Sequence, residues 1–167
     1  MTKAALVAML TAAVLATQAV SDSQVVPPRC RTAQLHAKLF DSSGAAGTIV
    51  FSVALRNNGA NCTLRGYPSL RLVGAQGPLP THVVRGGLAI LNGSPQLVLL
   101  ARGRRASVLI SYGDVPSGSE RSCPHGTALR LRPPGSVGWL SIRIATDACG
   151  RGTLHESPVL AGVRHAA

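Results

Sequence analysis

The segment Ser122-Cys123-Pro124-His125-Gly126 contains the residue types of a thiol nucleophile and its base. A histidine two residues from a cysteine can accept the thiol proton and activate the sulfur for attack on a carbonyl carbon. Such a pair would suit a cell-wall-modifying enzyme such as a transpeptidase. Because a sulfur in a disulfide cannot attack, this hypothesis requires Cys123 to be a free thiol.

The cysteines favour a structural role instead. The chain has four, at Cys30, Cys62, Cys123 and Cys149. A zinc site built from all four would need closely spaced C-x-x-C pairs, and the sequence has none. An even number of cysteines in an exported chain is typical of disulfides. We therefore predict two disulfides.

The positions of the cysteines indicate how they pair. The midpoint between Cys30 and Cys62 falls in the GAAG turn at 44–47, and the midpoint between Cys123 and Cys149 falls in the RPPGSVG turn at 132–138. Residues equidistant from the turn of an antiparallel hairpin lie opposite each other. We predict the pairs Cys30–Cys62 and Cys123–Cys149, each closing one hairpin. A bridge between two sheets, as in immunoglobulin domains, is the alternative.

Other catalytic patterns are absent from the sequence. The five histidines show no paired spacing, and a metal site from His36, His125 and His155 would depend on the fold bringing them together. A glycosidase needs two facing carboxylates, whereas most of the six acidic residues fall in predicted loops. We predict no catalytic residue, no metal and no cofactor, and a protein that is not an enzyme.

The charge of the chain is strongly positive, with a formal net value of +11. Only Arg102, Arg104 and Arg105 form a cluster, which could contact an anion through bidentate guanidinium contacts. A charged turn that discourages edge pairing of strands is the alternative. The positive surface favours an anionic cell-envelope component or a protein partner. We do not expect nucleic acid, because the chain has few aromatic residues for base stacking.

Period-two alternation of apolar residues recurs along the chain, and Gly, Pro, Asn and Ser separate the runs. The clearest run, Thr48 to Arg56, places Ile49, Phe51, Val53 and Leu55 on one face. Other predicted strands are 34–39, 70–73, 82–84, 96–100, 106–112, 128–132 and 139–144. About eight or nine short strands indicate an all-β antiparallel sandwich. The residue types at 57–59 tolerate positive φ and are predicted to end the strand that precedes them.

The N-terminal residues have the pattern of a signal peptide. Lys3 precedes an apolar run from Ala4 to Ala16, which is shorter than a membrane span requires, and small residues offer cleavage near Ala19–Ser21. We predict a signal peptide at 1–21, a flexible lead-in at 22–29, the sandwich at 30–163 and a tail at 164–167. The protein would be a secreted or wall-located monomer without a transmembrane segment, the alternative being a retained short anchor.

Several segments, in order, resemble the family catalogued as domain of unknown function 4232, found in exported proteins and lipoproteins of high-GC Gram-positive bacteria. They are Cys30, LRNNGANCTLRGYPSLRL from Leu55, LLARGRRASVLISY from Leu99, CPHGTALRLRPPG from Cys123 and DACGRGTLHESPV from Asp147. The chain departs from the family in having Tyr112 where tryptophan is frequent and in lacking a lipobox. The resemblance implies an immunoglobulin-like β-sandwich in an exported setting, and it implies no activity. Our prediction is a binding or structural module at the cell envelope, with the wall-modifying enzyme as the alternative.

Overall fold

A computed structural model describes residues 26–166, so the predicted signal peptide and the first part of the lead-in lie outside the described residues. Strands dominate this part of the chain. They are β1 (Leu35–Ala45), β2 (Thr48–Asn57), β3 (Cys62–Leu64), β4 (Ser69–Gly74), β5 (Gly77–Pro78), β6 (His82–Arg85), β7 (Val98–Leu100), β8 (Arg105–Gly113), β9 (His125–Arg132), β10 (Leu140–Asp147), β11 (Thr153–Glu156) and β12 (Leu160–Ala161). The helical elements are α1 (Cys149–Gly152) and two 3-10 turns, Thr32–Gln34 and Ala89–Leu91. No helix within 26–166 is long and apolar enough to cross a membrane.

The strands form two main sheets and one small pair. The six-stranded sheet has the order β1-β2-β8-β11-β6, and β12 also pairs with β8. Its pairings are antiparallel except for β11 with β6. The four-stranded sheet has the order β10-β9-β4-β5 and is antiparallel throughout. β3 and β7 form a separate pair.

The inward faces of the two main sheets pack into one hydrophobic core. Phe51 and Val53 reach it from β2, and Leu72 and Leu129 reach it from β4 and β9. Alternate residues of each strand point inward because side chains change face at every residue. The predicted all-β sandwich is confirmed.

Both predicted disulfides are present, as Cys30–Cys62 and Cys123–Cys149, and the described chain has no free cysteine. The β1–β2 hairpin turns at Ala46 and Gly47, both with positive φ, which gives the backbone twist that a two-residue hairpin turn favours. The β9–β10 hairpin pairs His125 with Asp147 next to the second disulfide. Each bridge therefore lies beyond the open end of a hairpin, as the midpoint argument predicts.

Residues 26–166 contain twelve strands where about eight or nine were predicted. The additional ones are β3, β5, β11 and β12, each two to four residues long. Such segments are too short to show alternation in the sequence. In β11 the alternation is also hidden, because the inward position after Leu154 is the charged-type residue Glu156.

The expectation that positive φ ends strand β2 is wrong, since none of the residues at 57–59 adopts it. The Asn57 side chain ends the strand instead. It is fully buried, donates from Nδ2 to the carbonyl oxygens of Ala60 and Leu100 at 2.8 Å each, and accepts from the Gly59 amide at 2.9 Å. These bonds turn the chain toward Cys62 and fix it against β7.

Candidate functional site

The outward side of the four-stranded sheet carries an unusual set of side chains. In β9, Arg130 and Arg132 alternate with buried leucines, so both arginines point away from the core. Arg71 of β4 lies opposite Arg130, and Arg143 of β10 lies opposite Ala128. We call the surface formed by Arg71, Arg130, Arg132, Arg143 and Trp139 the arginine face.

Trp139, which directly precedes β10, holds two of these guanidinium groups. The Cζ atom of Arg71 lies 5.4 Å from the centre of the indole ring, and that of Arg132 lies 5.0 Å from it. Arg132 also donates from Nη2 to the Ser69 hydroxyl oxygen at 3.1 Å. A guanidinium stacked on an aromatic ring keeps its N–H edge available for an oxyanion. The stack therefore orders two arginines while leaving donors free.

No carboxylate among residues 26–166 forms an ion pair with an arginine of the arginine face. The described residues contain two ion pairs, and both involve histidine. They are His125 with Asp147 and His165 with Asp41. Arg71 and Arg130 are directly opposed like charges, an arrangement that destabilises a sheet. Folding gains nothing from this pair, whereas an external anion would be attracted to it.

The cluster predicted as a possible anion contact lies elsewhere, at the turn between β7 and β8, with Arg105 as the first residue of β8. Arg102, Arg104 and Arg105 are all exposed. Arg104 and Arg105 line an open cleft that Arg102 does not reach. The turn is fastened to the segment after β2, because the Arg102 amide donates to Asn61 Oδ1 at 3.2 Å. Anion contact at this cluster stays a prediction.

Arg105 belongs to a second basic row that the sequence spacing did not reveal. Cross-strand pairing places Arg105 opposite Arg56, and Arg56 opposite His36, across three adjacent strands. All three side chains are exposed. This row contains one imidazole and two guanidinium groups, and no indole ring holds them.

The Ser122–Gly126 segment does not present a free thiol, because the Cys123 sulfur is bonded to that of Cys149. The His125 ring pairs instead with Asp147, at 2.8 Å between Nδ1 and Oδ1, and both side chains are well exposed. The arrangement holds a histidine–carboxylate pair and a disulfide, which differs from the nucleophile and base that the enzyme hypothesis requires.

Glu120 lies beside this disulfide and has a structural partner. Its carboxylate oxygens accept from the backbone amides of Gly150 and Arg151 at 2.8 and 3.0 Å. Both residues have left-handed backbone angles, and their successive amides both donate to this one carboxylate. Among residues 26–166, the one group of three potential metal ligands found is Glu120 with the sulfurs of Cys123 and Cys149. Those sulfurs are bonded to each other and are not thiolate ligands.

The three histidines considered as metal ligands stay apart. His36 is exposed on β1, His125 pairs with Asp147, and the ring Nδ1 of His155 lies 3.1 Å from the Gly86 carbonyl oxygen. They form no ligand group in the described part of the chain.

Glu156 is a buried carboxyl that the sequence did not single out. It points into the sandwich from β11, is 2% exposed, and its Oε2 atom has no hydrogen-bond partner. Burial raises the pKa of Glu156 from 4.5 to about 7, against the opposing effect of the nearby Arg85 charge. At neutral pH this group is close to its midpoint of protonation.

The arginine face could have been found in the sequence. Leu129-Arg130-Leu131-Arg132, Leu70-Arg71-Leu72 and Ile142-Arg143-Ile144 all alternate an apolar residue with arginine. Period-two alternation places such arginines on one side of each strand. What the sequence could not show is that these three strands are neighbours.

Comparison with known proteins supplies a family and no activity. No curated protein and no solved structure matches the chain. The family model described as "Domain of unknown function (DUF4232)" matches residues 30–159. The chain belongs to this family.

Proposed function

We propose that the protein is a secreted binding module that attaches to an anionic component of the cell envelope through its arginine face. The observation that carries this proposal is the set of four guanidinium groups without a carboxylate partner on one open sheet surface. Oxyanions bind arginine through paired, charge-assisted hydrogen bonds. A repeated anion would engage several of these groups at once.

The extracellular setting rests on two features. The N-terminal sequence has the pattern of a signal peptide, and two disulfides suit an oxidising compartment. Both fit a protein that meets wall polymers or anionic lipid headgroups.

The wall-modifying enzyme has less support. It needs a reduced Cys123, and the bond to Cys149 occupies that sulfur. A thiol count on the non-reduced protein separates the two ideas, because the binding module is expected to have no free thiol. One reactive thiol at Cys123 would favour the enzyme.

The binding proposal is tested by retention on purified anionic wall polymer at low salt. The test variant is Arg71→Gln/Arg130→Gln, and the control is Arg102→Gln/Arg104→Gln, which removes the same charge from an exposed turn. We expect the test variant to lose retention and the control to keep most of it. Equal retention of wild type and test variant would refute the arginine face as the binding site.

A further inference from the structure

The arginines of the arginine face are arranged in regular levels along the strands. Arg132 forms the first level. Two residues along β9, Arg130 forms the second, and Arg71 lies opposite it on β4 with its guanidinium directed toward Trp139. Two residues further, Ala128 lies opposite Arg143, which forms the third. Since a strand rises 3.2–3.4 Å per residue, successive levels are roughly 6.6 Å apart.

This spacing matches one kind of polyanion. Two residues of an extended polypeptide contain six backbone bonds and span roughly 6.6–7.2 Å. A chain of phosphates joined by three-carbon polyol units also has six single bonds from one phosphorus atom to the next. Its charges therefore recur at the interval of the arginine levels. In inorganic polyphosphate, neighbouring phosphorus atoms share one oxygen and lie much closer together.

The arginine face can offer two guanidinium groups to one anion. The Cζ atoms of Arg71 and Arg132 lie within 5.4 Å of the centre of the same indole ring, and Arg71 and Arg130 occupy opposed positions on neighbouring strands. A tetrahedral phosphodiester has two non-bridging oxygens that point in different directions, so each can accept from a different guanidinium.

Nucleic acid also has six bonds between phosphorus atoms, but its recognition as a single strand relies on aromatic side chains that stack with bases. Trp139 is the one aromatic residue of the arginine face, and two guanidinium groups lie within 5.4 Å of its ring centre. The ring already contacts two guanidinium groups, and the arginine face has no second aromatic residue on which a following base could stack. The face suits a phosphodiester chain without bases.

From these observations we infer that the ligand of the arginine face is a linear polyol phosphate whose chain runs along β9 and places consecutive phosphates on the three arginine levels. This inference rests on the proposed function and specifies its ligand class.

The test measures dissociation constants for three probes with equal numbers of phosphates: poly(glycerol phosphate), inorganic polyphosphate and oligo-deoxythymidine. For poly(glycerol phosphate), Arg71→Gln/Arg130→Gln should weaken binding roughly tenfold or more, because two charge-assisted contacts are lost. Arg102→Gln/Arg104→Gln should weaken it only slightly. For the other two probes, both double variants should have similar small effects.

The length of the probe supplies a second readout. Affinity for poly(glycerol phosphate) should rise steeply up to three phosphates and only slightly beyond. Arg143→Gln, which removes the third level at an exposed position, should move this limit to two phosphates. A limit unchanged by Arg143→Gln would contradict the proposed track.

The outcomes separate the two proposals. If Arg71→Gln/Arg130→Gln weakens all three probes equally and more than the control does, the arginine face binds anions but the polyol phosphate inference is wrong. Tighter binding of the oligonucleotide through the same arginines would overturn it in favour of nucleic acid. If the two double variants never differ, both proposals fail.

Discussion

The β1–β2 and β9–β10 hairpins are built alike, each closed by one disulfide, yet their outward sides differ. The outward side of β1, β2 and β8 is crossed by the last described residues. The Arg164 amide donates to the Ser107 hydroxyl oxygen at 3.1 Å, and the Ala166 amide donates to Asp41 Oδ2 at 3.0 Å. The outward side of β9, β10 and β4 is exposed and carries the arginine face.

Side-chain size and charge follow this difference. Beside the crossing segment the strands present Ser52, Ala54, Ser107 and Leu109, all of which are buried, while the same outward side also carries the exposed basic row of His36, Arg56 and Arg105. On the four-stranded sheet the corresponding outward positions hold long cationic side chains. Uncharged outward residues allow a second layer of chain to cover part of a sheet, whereas exposed arginines without a carboxylate partner leave a surface open to an anionic partner.

Removing either disulfide should have the largest effect on the free energy of unfolding. Comparing the two removals tests whether each bridge stabilises its hairpin to the same extent. The bridges close loops with sequence separations of 32 and 26. In the chain-entropy model, each contributes roughly 3.5 kcal/mol to the free energy of unfolding. We expect Cys30→Ala/Cys62→Ala and Cys123→Ala/Cys149→Ala to show similar losses in urea unfolding. A large loss of unfolding free energy in only one of these two variants would contradict the view that both hairpins are stabilised in the same way.

Substitution of the buried Glu156 should have the next largest effect on the free energy of unfolding. Its folded-state pKa of about 7 exceeds the ordinary 4.5, so the folded state favours the protonated carboxyl. The contribution of Glu156 to the free energy of unfolding is therefore greatest below about pH 4.5, falls as pH rises toward 7, and then levels off. Glu156→Gln should raise the free energy of unfolding on the order of 3 kcal/mol at about pH 8, and scarcely at all at about pH 4.

Urea unfolding across this pH range measures the Glu156 effect, with Asp114→Asn as a control at an exposed loop position. A stabilisation by Glu156→Gln that is the same at both ends of the range would show that the carboxyl does not titrate as described.

Removing one of the opposed arginines should change the free energy of unfolding by a smaller amount. Unlike most substitutions, it should increase stability. Because Arg71 and Arg130 are opposed like charges on β4 and β9, Arg130→Gln, which keeps the contact between Arg71 and Trp139, should stabilise the fold by about 0.5 kcal/mol. The same variant should weaken anion binding. Thermal or urea unfolding without ligand measures the gain, and a marked destabilisation would mean that the arginines serve the fold.

Substitution of Asp41 should have the smallest effect, confined to the contact between the six-stranded sheet and the last described residues. The hydrogen bond from the Ala166 amide, followed by that from His165, holds the pKa of Asp41 below its usual range. A lowered folded-state pKa means that the contact is complete above the usual pKa and is lost as pH falls through the lowered one. Asp41→Asn should speed hydrogen exchange at the Ala166 amide while anion binding stays unchanged. Weakened anion binding would show that the two outward sides are coupled.

Much of the fold could be predicted from the sequence because its signals are local. Alternation identified eight strands, and the distances of the cysteines from two turns identified both disulfides. The short strands β3, β5, β11 and β12 escaped because pairing with distant strands, and not their own pattern, defines them. Tertiary pairing of this kind overrides local preference.

The candidate site was harder to predict for the same reason. The cluster at 102–105 is visible in the sequence because its three arginines lie within four residues. Arg71, Arg130 and Arg143 are far apart in sequence and become neighbours only through the order β10-β9-β4. Asn57 shows the same limit, since its role depends on reaching Leu100 across the fold.

Trp139 allows the most direct test of the arginine face, because it is the one tryptophan of the chain and contacts two of the arginines. The measurement is its fluorescence during titration with purified anionic wall polymer, read beside retention of the protein on the same polymer. We predict a saturable change in emission at similar polymer concentrations for wild type and for Arg102→Gln/Arg104→Gln, whereas Arg71→Gln/Arg130→Gln should need roughly tenfold more polymer or a still higher concentration. Retention of the wild-type protein on the polymer with no change in Trp139 emission would contradict the account.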